Sequence, residues 1–422
     1  MKGLHSKKAK NNQNKKTKDW MGKMKKEITV KVKSRFVDKF KNGYPLIFKE
    51  AIINFDVFDK EGDIVKLVDE RNKFIARGYY GKQNKGYGWI LSRKENEKID
   101  ISFFEKKIVS ALNKRAGLYK SRDTNAFRVF NGEGDGIGGL TIDYFDGYYL
   151  INWYSKGIHK FRDCVINSLK RLVEFKGMYQ KKRFDTQGKY IEEDGFVLGE
   201  RGEFPIIVKE NGVNFAIYLN EGAMVGVFLD QRNVRKTIRN KYSKGKTVLN
   251  TFSYTGAFSV YAALGGAKKT TSVDLANRSL PKTIEQFSIN EIDYEAHDIV
   301  VEDVFNYFKY ALKKELKFDM VILDPPSYAK SKKFKFSAAN DYKNLLKETI
   351  AITEDNGVIV ASTNCSSFGM EKFKSFIDTA FKEIHGKYKI LEEFALPSDF
   401  RAQKEYEESN YLKVVFIKKI KR

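Results

Sequence analysis

The sequence predicts an α/β fold: a mainly parallel sheet covered by helices in the C-terminal half, preceded by a small all-β unit and a central α+β module. Three observations carry this expectation. Beyond Asn240 the pattern runs strand, turn, helix and repeats, which is the grammar of a parallel sheet. From Glu27, short β-like runs alternate with Gly43, Gly62, Gly78, Gly81 and Gly86, as in a compact β domain. Between these regions, helical and extended stretches mix without an internal repeat. The implied divisions are a basic tail over 1–26, a β unit over 27–95, an α+β unit over 96–205 and an α/β unit over 206–422, consistent with a chain of 422 residues.

Each element follows from its residues. The tail sets Lys7, Lys8, Lys10, Lys15, Lys16 and Lys18 among Asn11, Asn12, Gln13 and Asn14, and holds too little apolar surface to order itself. It reads either as a flexible arm for phosphates or as a solvated tail. The runs Ile28–Val32, Ile64–Val68, Phe74–Ala76 and Gly88–Leu91 read as strands. Phe104, Ile108, Ala111 and Leu112 mark one face of a helix from Ser102 to about Leu118. Strands Leu140–Asp143 and Tyr148–Ile151, a helix from about Lys160 to Phe175 and an extended segment at Phe215–Leu219 complete the central region. The run Gly134-Asp135-Gly136-Ile137-Gly138-Gly139 satisfies G-x-G-x-x-G, but a β run follows it where a dinucleotide site needs a helix. Glu133 and Asp135 would also repel a pyrophosphate, so the cluster is a turn.

Composition narrows the function classes. Lys and Arg number 78 against 54 Asp and Glu, a net charge of +24. Such a surplus suits a polyanionic partner through counterion release, or simply solubilises a lysine-rich chain. Two cysteines, Cys164 and Cys365, exclude a disulfide framework or a cysteine-type zinc site, and four scattered histidines give no metal-ligand spacing. No run of about 18 apolar residues is present and no signal-peptide core begins the chain, so a cytoplasmic protein without membrane or metal is expected.

A nucleoside-binding edge is legible in the C-terminal half. Lys246–Asn250 reads as a buried strand, Thr251–Gly256 as a small-residue turn and Ala257–Leu264 as an apolar helix. A ligand in such a fold lies beyond the strand's carboxyl end, where Gly256 lets the backbone come close. The next strand ends at Asp274, placed to accept from ribose hydroxyls; the third runs into Asp303, placed to accept from an adenine amino group. The fourth ends in Asp324-Pro325-Pro326-Ser327-Tyr328. Three acids in order, each closing a β run, point to one cofactor.

The turn, the three acids and Asp-Pro-Pro resemble a class I S-adenosylmethionine methyltransferase. With Val227-Phe228-Leu229-Asp230-Gln231-Arg232, Asn250–Gly256, the Cys365 segment, Arg128–Asp143 and Leu396–Phe400, the chain from about Glu27 is similar to the RlmI-type family of ribosomal RNA large-subunit cytosine-C5 methyltransferases. The resemblance implies an N-terminal small β-barrel (PUA-like) domain, a central α+β domain and a C-terminal Rossmann-like methyltransferase domain. It implies S-adenosyl-L-methionine as cofactor and RNA as partner, namely 23S rRNA or a large-subunit assembly intermediate. Phe228, Asp230 and Gln231 would then line the methionine end or the substrate side; Asn250, Phe252 and Gly256 would form the turn, with Asp324 and Pro325 beside the cofactor. The family often has Gly-Gln-Lys-Thr-Gly before this run, where the chain reads Gly222-Ala223-Met224-Val225-Gly226, so no role of that Gln or Lys carries over.

Cytosine C5 is a poor nucleophile, and addition of a thiolate to C6 makes it enamine-like. Cys365, directly after the strand Gly357–Val360, is the candidate nucleophile, against the alternative of a small buried core residue. Asp324 is placed to bond N3 and the exocyclic amine. Cys164 lies in an amphipathic helix and reads as structural. Two other readings stay open: a guanine methyltransferase in which Cys365 is a bystander, and a non-catalytic RNA-binding protein with a degenerate methyltransferase fold. Lys33, Arg35, Lys41 and Tyr44 are the candidate RNA grip of the PUA-like unit, or ordinary surface charge.

Overall fold

The computed structural model describes residues 27–83, 86–184, 194–222, 225–330 and 335–421. The basic tail of residues 1–26 lies outside them, as do Ala223 and Met224.

The β-branched runs of the C-terminal half form β1 (Thr247–Thr251), β2 (Lys269–Asp274), β3 (Asp298–Val301), β4 (Phe318–Leu323), β5 (Thr353–Thr363), β6 (Lys387–Phe394) and β7 (Lys413–Ile420). They make one sheet in the order β3-β2-β1-β4-β5-β7-β6. The first five strands are parallel, and β7 inserts antiparallel between β5 and β6. Helices α1 (Ala257–Leu264), α2 (Ser279–Ser288), α3 (Val304–Lys313), α4 (Ala338–Ala351) and α5 (Met370–Glu383) connect and cover it. Thr251 pairs with both Val273 and Leu323, so the carboxyl ends of β1, β2 and β4 are level. The chain leaves β1 toward β2 on one side and returns to β4 on the other. That reversal opens a crevice at the strand ends.

The N-terminal unit is a five-stranded sheet, as expected, but it is not purely β. Ser34–Lys41 is a helix, with Val37 and Phe40 buried against the sheet. Lys33 occupies its N-cap position, Arg35 its first turn and Lys41 its last residue. The abundance of Lys between these few apolar positions hid the helical spacing. The central unit is a second five-stranded sheet with helices Ile101–Lys114 and Arg162–Leu172 packed together. The first helix was expected to reach Leu118. It breaks at Arg115, whose guanidinium turns inward to bind Asp135 at 2.6 and 2.9 Å.

The glycine cluster is the turn the sequence implied, and the structure shows what it is for. A Cβ on Gly138 would lie 2.1 Å from the Trp89 ring, so only glycine lets the two domains meet. Tyr79 donates to the Gly138 carbonyl at 2.7 Å in the same seam. Tyr79, Trp89 and Leu91 share one hydrophobic core with Phe104, Phe130 and Ile151, so the first two units are fused through a common interior. A hairpin, Ile206–Glu210 with Val213–Ile217, joins the central unit to α1 in the same way through Phe215, Tyr148 and Tyr261.

Under this hairpin Glu210 and Arg235 form a two-point ion pair at 2.8 and 2.7 Å, both fully buried. A buried pair is expensive to break from one side, because the survivor is an uncompensated charge. Glu210→Ala should therefore cost about 3–5 kcal/mol, read as a lowered urea midpoint. A change within a few tenths of a kcal/mol would show that the pair does not hold the hairpin.

Candidate active site

A cavity of about 1100 Å³ opens at the crevice and gathers seven of the residues singled out in the sequence: Phe228, Asp230, Gln231, Phe252, Asp274, Asp324 and Pro325. Its floor is the turn after β1. Phe252 and Tyr254 adopt φ of 54° and 53°, a left-handed conformation unusual for aromatic residues. The Asp274 carboxylate holds that turn, accepting from the Tyr254 amide at 2.8 Å and the Ala276 amide at 2.9 Å. Each oxygen keeps a lone pair for a ribose hydroxyl. Phe228 is 41% exposed and packs its ring 5.4 Å from that of Tyr254, giving the cavity an aromatic wall.

The opposite wall is acidic. Asp324, at the end of β4, accepts from the Gln231 amide at 3.2 and 3.3 Å. Gln231 also donates to Ser362 at 2.9 Å, and its own carbonyl oxygen is buried with no protein partner among the described residues. Burial pushes the Asp324 carboxyl up to about 6; the Ser362 hydroxyl opposes this and the Asp230 charge adds to it. Asp230 is likewise raised by burial, against a bond from the Tyr411 hydroxyl at 2.8 Å.

Four expected site residues do not line the cavity. Asn250 is fully buried one layer below, tying β1 to α1 through Ser259 at 3.0 Å. Gly256 has φ 75°, and a Cβ there would meet Thr283 of α2 at 2.5 Å. Its glycine is required by the turn and by helix packing. The Asp303 carboxylate caps α3 through the amides of Phe305 and Asn306, at 2.9 and 3.3 Å. Cys365 is 9% exposed within the core on the α4–α5 side, its Sγ 3.1 Å from the Ser367 hydroxyl. Its neighbour Asn364 takes the place on the cavity wall. Cys164 is buried in its helix, as expected.

Sequence reasoning missed Tyr254, Asn364 and Lys413. Asn364 was signalled by adjacency to Cys365 alone. Lys413 of β7 is 3% exposed and gives its ammonium to the carbonyls of Cys365 at 2.8 Å and Tyr411 at 2.7 Å. Burial pulls it down to about 8, with negative charge on Cys365 the opposing influence. Nothing in a β-type run marks one lysine as inward.

Of the residues proposed to grip RNA, Lys41 and Arg35 are exposed and Lys33 is half-buried. Tyr44 faces the interior seam, its ring 5.5 Å from that of Tyr406 and its carbonyl bonded by Arg93 at 3.1 Å. Its role in the structure is domain packing.

The donor set suits S-adenosylmethionine. Asp274 presents oxygens to a ribose, Phe228 and Tyr254 offer flat apolar surface, and the unpartnered Gln231 oxygen and the Asp230 carboxyl can receive an ammonium. The volume slightly exceeds the usual range for one small molecule.

Comparison with known proteins agrees. Residues 128–402 match the family of S-adenosylmethionine-dependent methyltransferases and residues 30–93 the PUA-like domains. YwbD of Bacillus subtilis, named provisionally as a ribosomal RNA large subunit methyltransferase, is 65% identical over 90% of this chain and 97% of its own. Ribosomal RNA large subunit methyltransferase I of Alteromonas mediterranea is 31% identical over 88% of this chain and 93% of its own. The crystal structure of SMU.776 complexed with SAH superposes with a TM-score of 0.86 at 38% identity, covering 93% of this chain and all of that one. With its cofactor cavity at the switch point of the sheet and its fused N-terminal β unit, the chain belongs to the S-adenosylmethionine-dependent methyltransferases that carry a PUA-like domain.

Proposed function

We propose that this enzyme methylates C5 of a cytosine in 23S rRNA. The names of its relatives support large-subunit rRNA as the substrate. The observation that supports cytosine is the Asp324 carboxyl on the cavity wall, pushed by burial up to about 6, where it can take up and return a proton. A neutral carboxyl donates to N3 and accepts from the N4 amine, matching the cytosine edge.

When bound, S-adenosylmethionine supplies an electrophilic methyl group at its sulfonium. The protein's part is to make C5 a nucleophile. The Cys365 sulfur, as thiolate, bonds to C6 while Asp324 gives its proton to N3, and the displaced electron pair enriches C5. After methylation the C5 proton leaves to solvent, the C5–C6 double bond re-forms and the thiolate is expelled. Asp324 recovers the N3 proton. The base must be flipped from its stack to reach this site.

A second reading has one observation in its favour: Asn364, not Cys365, faces the cavity. There Asp324 and Asn364 would hold a guanine amine, and the thiol would take no part. Cys365→Ala separates the two. With S-adenosylmethionine affinity intact by calorimetry, complete loss of methyl transfer to 23S rRNA supports the cytosine reading, while retained transfer overturns it.

Two further outcomes are expected. Asp324→Ala should lower turnover about 10²–10⁴-fold with cofactor affinity nearly unchanged, as for loss of a proton-transfer group. Asp274→Ala should weaken S-adenosylhomocysteine binding about 10–100-fold in calorimetry, the worth of charge-assisted hydrogen bonds to a ribose. Unchanged affinity there would remove Asp274 from the cofactor site.

A further inference from the structure

The glycine turn that the cofactor site does not use borders a separate notch of about 390 Å³, where all three units meet. Arg93 comes from the N-terminal unit, Lys107 and Lys114 from the helix Ile101–Lys114, and Arg401 from the segment between β6 and β7. The Asp135 carboxylate is outnumbered at its centre. Arg115 already satisfies both its oxygens, yet Lys114 approaches at 3.4 Å and Arg401 at 3.9 Å. Lys107 makes no hydrogen bond or ion pair among the described residues. Its ammonium lies over Gly136, where a Cβ would come within 2.7 Å of it. Burial and the like charges of Lys114, Arg93 and Lys94 pull Lys107 below its ordinary range, against the single opposing charge of Glu97. The other acid in the notch, Glu133, is pushed by burial up to about 7 and so loses much of its charge near neutrality.

Cations held this close repel one another, and the arrangement gains most from an anion in their midst. The basic character also continues past the notch. Lys94, Lys98 and Lys106 line a neighbouring recess of about 400 Å³ at the start of that helix, outnumbering its two acids, Glu97 and Asp100. A surplus of cations in two adjoining recesses fits an anion with repeated charges better than a single small ion.

We infer that this three-domain notch is a phosphate-binding subsite that anchors the sugar-phosphate backbone of the RNA substrate away from the base being methylated. The inference rests on RNA being the substrate, as proposed above. It also explains why the turn carries so many glycines: they let Trp89, Lys107 and Arg401 converge on one backbone loop, with a Cβ on Gly134 falling only 1.7 Å from the Arg401 carbonyl.

The test uses the full-length protein and in vitro transcribed 23S rRNA, with filter binding across a series of KCl concentrations. Lys107→Gln/Arg401→Gln is compared with Lys372→Gln/Lys382→Gln, which removes the same charge from exposed positions on α5. The notch pair should lose about tenfold in affinity. Its plot of log K against log [KCl] should be shallower by about 1.4, the loss of two phosphate contacts to single-stranded RNA. S-adenosylhomocysteine affinity should match the wild type in both, which shows that the fold survives. Equal behaviour of the two pairs overturns the notch alone. A wild-type protein that does not bind the RNA overturns the notch and the RNA reading together, and methyl transfer to another class of acceptor then marks the latter failure.

Discussion

The buried pair of Arg235 with Glu210 is the constraint from which the site is built. Arg235 also donates to the Phe228 carbonyl at 2.7 Å, and Tyr261 of α1 donates to the Glu210 carbonyl at 2.6 Å. One ion pair therefore fixes the hairpin, the first helix of the sheet and the turn that carries Phe228, Asp230 and Gln231. Arg235 reaches the cavity wall itself, and its charge offsets part of the rise in Asp230 and Asp324. Two acids can share one cavity wall because a guanidinium stands behind them. A second pair, Arg232 with Asp399 at 2.5 Å, repeats the device. The Asp399 carboxylate also accepts from the Arg128 amide at 3.0 Å, tying the segment after β6 to the central unit.

Much of this was legible in the sequence. Strand-forming runs closed by Asp274 and Asp324 set both the sheet and the edge where a nucleoside lies, because a parallel strand exposes its carboxyl end at the switch point. Sequence position alone could not separate Asp303 from them. It also ends a strand, but the next residues begin a helix at once, and two exposed amides recruit its carboxylate as a cap. Asn250 and Gly256 sit in a ligand-binding motif yet serve the packing beneath it. The same backbone turn must satisfy α1 and α2 before it can present anything to a ligand.

The domain seams were not legible. Composition gives a boundary near residue 95, between two units read as separate. The structure instead runs a continuous core across it, through Trp89 and Tyr79. The decisive feature is a contact between residues distant in sequence, Gly138 against Trp89, which no local pattern announces. Arg115 is similar: on a helical wheel it extends the helix, whereas its partner Asp135 lies 20 residues on, past the following strand. Charge at such seams reads as surface until the fold brings the partners together.

The last consequence concerns the loop after β5. Successive residues leaving an extended strand project to opposite sides, so Asn364 on the cavity wall goes with Cys365 against the core. Lys413 holds that choice by binding the Cys365 carbonyl from β7, without a carboxylate of its own within ion-pair distance among the described residues. Covalent attack on a base thus requires the 364–367 segment to turn its thiol into the cavity when RNA arrives. On the amine reading the loop need not move at all. The two chemistries differ in their demand on one backbone segment, and Lys413 stands at its base in both.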